Sequence, residues 1–244
     1  MKLLCLLTSL LLVGTSTLSV ADEAKAKATS EWTTIFDGTS LDGWKSNEEV
    51  AGCFTIEDGK LKVSGGRAHL FYVGADGKAE FTNFELKLRV MTEANANSGV
   101  YLHTAYQEKG WPDKGYEAQV NATHKDAKKT GSLYGVSNIY VDPSDKDHAV
   151  GTTFLDEKTG ENQVRATAPN KDGEWFDYHI IVNGKTIELR VNGKTTVRYT
   201  EPADGSLPNA KMPGRKLSSG TIGIQGHDPK STIYFEKIQV KRLP

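Results

Sequence analysis

Three stretches of the chain alternate in a way that could set up chemistry. In Tyr116-Glu117-Ala118-Gln119-Val120-Asn121, the side chains of Glu117, Gln119 and Asn121 fall on one side of an extended backbone, opposite Tyr116, Ala118 and Val120. Tyr101 and His103 likewise oppose Val100 and Leu102, and Gln225 and His227 oppose Ile222 and Ile224. If these strands adjoin, one sheet surface carries a carboxyl, two imidazoles, a phenol and three amides. A solvated outer face is the blander account, but such a face draws on Lys, Thr, Glu and Arg, as residues 84–90 do. Amides that bond hydroxyls and rings that stack on pyranose faces are instead the lining of a sugar site. Trp111 and Tyr134 are candidate stacking walls, each equally readable as core, with Tyr106 and Tyr140 nearby.

Other chemistries lack their residues. The six histidines show no H-x-x-x-H spacing, so a metal is neither required nor assigned. There is no G-x-S-x-G nucleophile elbow and no phosphate-binding glycine loop. Thirty basic against 31 acidic side chains leave a formal charge of −1, which gives no electrostatic basis for binding nucleic acid. Asn121-Ala122-Thr123 is formally a glycosylation sequon, but Asn121 belongs to the polar face.

Strands must hold these residues in place, and the sequence is built for strands. Phe84, Leu86, Leu88 and Val90 alternate with Glu85, Lys87 and Arg89. Asn183-Gly184 and Asn192-Gly193 suit the positive φ of two-residue hairpin turns, so 178–199 reads as three successive antiparallel strands. Similar patterns occur at 54–57, 60–64, 99–104, 116–121, 221–227 and 232–241, and no segment carries a 3.6-residue apolar stripe. In the last of these, Ile233 and Phe235 differ in parity from Ile238 and Val240, which predicts a bulge near Glu236-Lys237. Many short strands between Gly, Asp and Pro turns point to an all-β sandwich of two antiparallel sheets. Residues 140–174 and 201–219 read as long surface loops of one domain, of the kind that build lids and binding walls.

The first 21 residues are a separate object. Lys2, the apolar run Leu3–Val13 and the small residues Ser19 and Ala21 form a secretory signal peptide pattern, too short for a membrane span. Residues 22–30 read as a flexible leader, and 31–244 as a single β-sandwich domain. The protein is therefore expected in the periplasm or outside the cell, with no membrane span in the mature chain. Removing 1–21 takes away Cys5 and leaves Cys53 alone, read as a buried apolar residue that cannot form an internal disulfide.

With these motifs in order, the chain resembles the 3-keto-disaccharide hydrolase domain family, formerly a domain of unknown function, in the concanavalin A-like lectin/glucanase superfamily. The resemblance runs over residues 32–243. It begins at Phe36-Asp37-Gly38-Thr39-Ser40-Leu41-Asp42-Gly43-Trp44 and continues through Asn97-Ser98-Gly99-Val100-Tyr101 and Gly115-Tyr116-Glu117-Ala118-Gln119-Val120. Gly131-Ser132-Leu133-Tyr134-Gly135 follows, and Gly223-Ile224-Gln225-Gly226-His227-Asp228 and Phe235-Glu236-Lys237-Ile238 close it. Where this chain has Gly226-His227-Asp228 and Glu236-Lys237, the family often has Asp-His-Gly and Arg-Asn.

The resemblance implies a jelly roll whose concave face holds a glycoside already oxidised to a ketone at C3. That ketone acidifies the C2 proton, so a base removes it, the anomeric substituent leaves, and water adds back. On that basis Glu117 and His227 are the acid/base pair, with the order of their roles open. His103, Gln119, Asn121, Gln225 and Tyr101 are assigned to substrate, with Trp111 and Tyr134 as its walls. Glucanases of this superfamily carry Glu-x-Asp-x-(x)-Glu on one strand; here that strand reads Glu117-Ala118-Gln119-Val120-Asn121, with amides at the later positions. The expected partner is an oligosaccharide or glycoside, with no cofactor required and the oligomeric state open. A lectin-like module that binds sugar without cleaving it is the rival reading.

Overall fold

In a computed structural model the described residues are 31–47, 49–140, 153–156, 161–165 and 168–244. The expected signal peptide and leader lie outside them. The strands in chain order are β1 (Thr33–Phe36), β2 (Trp44–Ser46), β3 (Phe54–Glu57), β4 (Lys60–Ser64), β5 (Ala68–Tyr72), β6 (Phe84–Thr92), β7 (Asn97–Thr104) and β8 (Tyr116–Asn121). They continue with β9 (Ile139–Tyr140), β10 (Thr153–Asp156), β11 (Glu161–Arg165), β12 (Phe176–Asn183), β13 (Thr186–Val191), β14 (Lys194–Thr200), β15 (Thr221–Gly226) and β16 (Thr232–Arg242).

Two antiparallel sheets carry the fold. One runs β14-β13-β12-β6-β16-β4-β3, with β1 added on β16. The other runs β2-β5-β15-β7-β8. The period-two pattern explains their packing. Phe84, Leu86, Leu88 and Val90 of β6 are buried against the second sheet, whose Leu70, Val100, Leu102, Ala118, Val120, Ile222 and Ile224 point back at them. Each of the larger of these side chains contributes roughly 1.5–3 kcal/mol by leaving water, so the interface between the sheets dominates stability.

The two Asn-Gly turns join β12, β13 and β14 in the expected meander. The bulge in β16 is also present: pairing with β6 slips between Glu236 and Gln239, and Lys237 has φ 52°. Cys53 is buried, its thiol donating to Gly66 O. One expectation is corrected. Residues 140–174 are not loop throughout, because β10 and β11 pair with each other and β11 runs parallel to β9. The Thr153-Phe154-Leu155 and Gln163-Val164 stretches carry ordinary strand propensity, which a reading fixed on proline and charge passed over. Among the described residues, no helix is long and apolar enough to cross a membrane.

Candidate active site

The five-stranded sheet places the polar residues on the face turned away from the core. The register puts Tyr101 of β7 opposite Glu117 of β8, and Gln225 of β15 opposite His69 of β5. None of this face is solvated in the way the bland account requires: Glu117 is 5% exposed, and Gln119, Gln225 and Tyr101 less still. Two segments cover it. Residues 131–137 lie against β8, where Tyr134 N donates to Glu117 O at 2.9 Å and Leu133 bridges Ala118. The 201–220 loop meets the 105–115 turn so closely that a side chain at Gly214 would sit 1.6 Å from Asp113 O.

Beneath these covers lies a cavity of about 480 Å³. Tyr101, Glu117, Gln119, Gln225, His227, Trp111 and Tyr134 line it, as do Arg215, Asn97 and the carboxylates Asp113 and Asp126. Glu117 is held there by a set of donors. Gln225 Nε2 donates to Glu117 Oε1 and to the Tyr101 hydroxyl, each at 2.9 Å. Arg215 Nη2 donates to Glu117 Oε2 at 3.3 Å, and Nη1 to Gly115 O at 3.1 Å. Gly99 leaves the carboxyl room, since a Cβ there would meet Oε1 at 2.5 Å. Burial pushes the pKa of Glu117 up, and the opposing pull of Arg215, Tyr101, Gln225 and His227 does not cancel it.

His227 lies just beyond the end of β15, half-buried, its ring 5.2 Å from that of Trp111. Its Nδ1 donates to Asp228 Oδ2 at 2.9 Å, which leaves Nε2 as the unprotonated nitrogen of the neutral ring. Although burial pushes Asp228 upward, bonds from the Ser231 hydroxyl, His227 and the Lys230 amide hold its carboxyl below the usual range. His124 joins from the other side, its Nε2 3.5 Å from the same oxygen. Donor atoms of His124, His227 and Asp228 lie within 4.8 Å of one another, a spacing that raises the question of a metal ion. The Asp126 amide, however, donates to His124 Nδ1 at 3.1 Å. That bond leaves the ring proton on Nε2, so His124 turns a donor toward Asp228 rather than a ligand lone pair.

Two expected substrate residues are elsewhere. A bulge in β7, marked by φ 54° at His103 and a register slip against β15, turns His103 off the polar face. Its Nε2 donates to Thr82 O at 2.8 Å, its Nδ1 accepts from Ser218 N, and its ring packs on Phe84. Asn121 has the expected parity but spends its amide on the following loop. Nδ2 donates to Asp126 O and Lys128 O, each at 2.9 Å, and Oδ1 accepts from the Lys129 ammonium. Neither lines the cavity.

Sequence reasoning passed over Arg215, His69, Asn97, His124 and Asp228. The reading of 201–219 as a binding wall was the one signal pointing at Arg215. Asn97 shares parity with Tyr101, two turns of the alternation earlier, and was visible in principle. His69 was not, because Ala68–Tyr72 shows no alternation and reads as no strand in particular.

A β-sandwich in which one covered sheet face lines a cavity with amides, aromatic rings and the Arg215–Glu117 pair has the make-up of a carbohydrate-acting jelly roll. The chain belongs to the 3-keto-alpha-glucoside-1,2-lyase-like domain family, which matches residues 31–241. Two crystal structures of candidate glycosyl hydrolases from Parabacteroides distasonis ATCC 8503 share the fold. One has 22% identity and a TM-score of 0.59, covering 93% of this chain and 99% of that one. The other has 23% identity and a TM-score of 0.57, covering 87% and 100%. A Bacillus subtilis protein of unknown function with a galectin-like fold is similar at 10% identity and a TM-score of 0.53, with coverage of 87% and 94%. No curated protein matches the chain.

Proposed function

We propose that this protein cleaves 3-keto-glycosides by proton abstraction at C2, elimination at C1 and hydration. One observation carries the reading: across a single cavity, an imidazole fixed in one tautomer faces a buried carboxyl that holds its proton more tightly than usual. His227 Nε2 takes the C2 proton, and the C–H electrons form the enolate C2=C3–O⁻. Arg215, whose buried Nε–H has no protein partner, is the donor at hand for that oxygen. The C3 carbonyl re-forms as the double bond moves to C1=C2 and the C1–O bond breaks, with Glu117 giving its proton to the departing oxygen. Water then adds. Glu117 recovers a proton from it as hydroxide bonds to C1, and the imidazolium returns its proton to C2. Both groups end as they began, and the net reaction is hydrolysis.

The cavity floor supports a sugar as the ligand. Gln119 Oε1 and Gln225 Oε1 are buried acceptors with no partner in the protein, an arrangement that favours hydroxyl donors brought by the ligand. Export through removal of residues 1–21, to the periplasm or the cell exterior, belongs to the same proposal and rests on the N-terminal pattern alone.

The test is release of reducing sugar by residues 22–244 from a glucoside and from its 3-keto derivative. Cleavage confined to the keto sugar is expected. Equal cleavage of the plain glucoside would overturn the elimination route in favour of a two-carboxylate mechanism, for which Asp126 or Asp113 would supply the second carboxylate. Binding without cleavage of either would establish the lectin reading.

A further inference from the structure

The loop that carries Arg215 is closed at its neck by the side chain of its own first residue. Glu201 follows directly on β14 of the larger sheet, and its amide donates to Lys185 O at 2.9 Å. Its carboxyl is little exposed and turns back across the neck. There a single oxygen, Oε1, accepts from two donors, the Tyr116 hydroxyl at 2.7 Å and the Leu217 amide. Tyr116 is buried in the core one residue before Glu117, and Leu217 follows Arg215 by two residues. Oε2 accepts from the exposed Lys185 ammonium at 3.3 Å, a bond that water screens.

The chain around Gly115 lies against the chain around Gly214, and one rung joins them where Gly115 N donates to Gly214 O at 2.9 Å. A single hydrogen bond fixes a distance but lets the segment swing about it. The Glu201 carboxyl supplies a second rung, from Tyr116 to Leu217, and two rungs fix a direction as well. His103 takes the next amide, Ser218 N, at 3.2 Å, so consecutive amides of the loop are held by side chains rooted in different sheets. Arg215 sits between the rungs, its guanidinium 3.3 Å from Glu117 and 3.1 Å from Gly115 O. A contact of 3.3 Å is long for a charge-assisted bond, so the backbone places the pair rather than the reverse.

We propose that Glu201 is a positioning residue: by holding the Tyr116 hydroxyl and the Leu217 amide on one oxygen, it sets how closely Arg215 approaches Glu117. Glu201 does not line the cavity and acts through that pair. The consequence for turnover rests on the proposed roles of Arg215 and Glu117, whereas the consequence for the pair itself does not. Arg215, His227, Tyr101, Tyr134 and Tyr178 are the charged or titratable groups within reach of Glu117, and of these Arg215 alone belongs to the loop. Burial pushes the Glu117 pKa up, and Arg215 is the strongest of the opposing pulls. Drawing the guanidinium away must therefore raise it further.

Carbon-13 NMR of the Glu117 carboxyl tests this without substrate, with each variant shown to be folded by its melting temperature. Glu201→Ala is expected to raise the Glu117 pKa by about one pH unit. Glu201→Gln, whose amide oxygen still accepts from both donors, should leave it near that of the wild type. In an Arg215→Ala background, Glu201→Ala should add no further rise. If Glu201→Ala does not fold, Glu201→Asp carries the same expectation, because a carboxyl one methylene shorter cannot span both donors. An unchanged Glu117 titration in the folded variant would overturn the proposal. So would a rise of equal size with and without Arg215, which would mean a general loosening of the loop. In turnover of a 3-keto-glycoside, Glu201→Ala should lower kcat about tenfold with KM little changed, and move the alkaline limb upward with the titration. A wild type that cleaves no 3-keto sugar would overturn the catalytic reading and leave the NMR comparison to decide this one.

Discussion

Glu117 and Glu188, one in each sheet, are both little exposed and have been put to opposite uses. Each is inside a strand, 5% and 7% exposed respectively, and each has an arginine beside it. Glu188 is saturated with donors: Oε1 accepts from Arg190 Nε at 2.6 Å and Thr195 Oγ1 at 2.8 Å, and Oε2 from Arg198 Nη2 at 2.7 Å and Nε at 2.9 Å. Burial raises its pKa, but those bonds outweigh the rise and hold it at about 2. Glu117 has one arginine at 3.3 Å, part of whose charge is shared with a backbone carbonyl, and neutral donors otherwise. There burial wins, and the pKa stays raised. A carboxylate surrounded by close donors, most of them charged, is a structural joint. One that is buried and under-compensated is available to give and take protons.

That contrast is most easily broken at its reactive end. Glu117→Gln should lower turnover of a 3-keto-glycoside about 10³-fold, as expected for loss of a general acid, with the protein still folded. Full activity in this variant would remove the central assignment. Asp228→Asn should follow, at about 10²-fold in kcat with little change in KM, because it removes the charge that steadies the imidazolium while leaving His227 in place. A purely packing role for Asp228 would instead move the melting temperature and leave kcat alone.

The direction of the Glu117 shift fixes a pH effect. Its acid form is the active one, so kcat should fall as pH rises through the raised pKa. The residual turnover of Glu117→Gln should lack this alkaline limb; a limb that persists there would assign it to another group. At the structural end, Glu188→Gln should leave turnover unchanged and cost about 1 kcal/mol, or about 3 °C in melting temperature, since Arg198 is largely exposed and its bonds are screened. The folded pKa is depressed, so this contribution is present above about 4.5 and disappears as pH falls toward about 2. A stability difference that survives at the acid end would mean the charge is not its source.

Strand pattern carried most of the architecture because period two is a direct imprint of a sheet with one buried face. It located β6, β8, the β12–β14 meander and the β16 bulge from residues alone. It also brought Tyr101, Glu117, Gln119 and Gln225 onto one surface. Parity failed where the backbone departed from it: one left-handed residue in β7 was enough to send His103 to the far side of its strand. Arg215 was illegible for a different reason. It reaches Glu117 from a loop about 100 residues later in the chain, and no local pattern encodes such a meeting. Asn121 shows a third limit, since facing the right way does not leave an amide free.

The smallest expected effect concerns the three donors beside the cavity. His124, His227 and Asp228 are close enough to suggest a divalent cation, and chelation would decide between that and a proton-holding trio. The Asp126 amide fixes the proton of His124 on Nε2, where it faces Asp228; the same carboxylate receives Nδ1–H of His227. His227 thus donates to Asp228, and the Nε2–H of His124 is turned toward the same carboxylate. Treatment with a chelator should leave kcat/KM for the 3-keto-glycoside unchanged. Loss of activity, restored by a divalent ion and absent in His124→Asn, would mean that the imidazole takes the other tautomer in solution. The trio would then be a metal centre, and the task of steadying the enolate would pass from Arg215 to the ion.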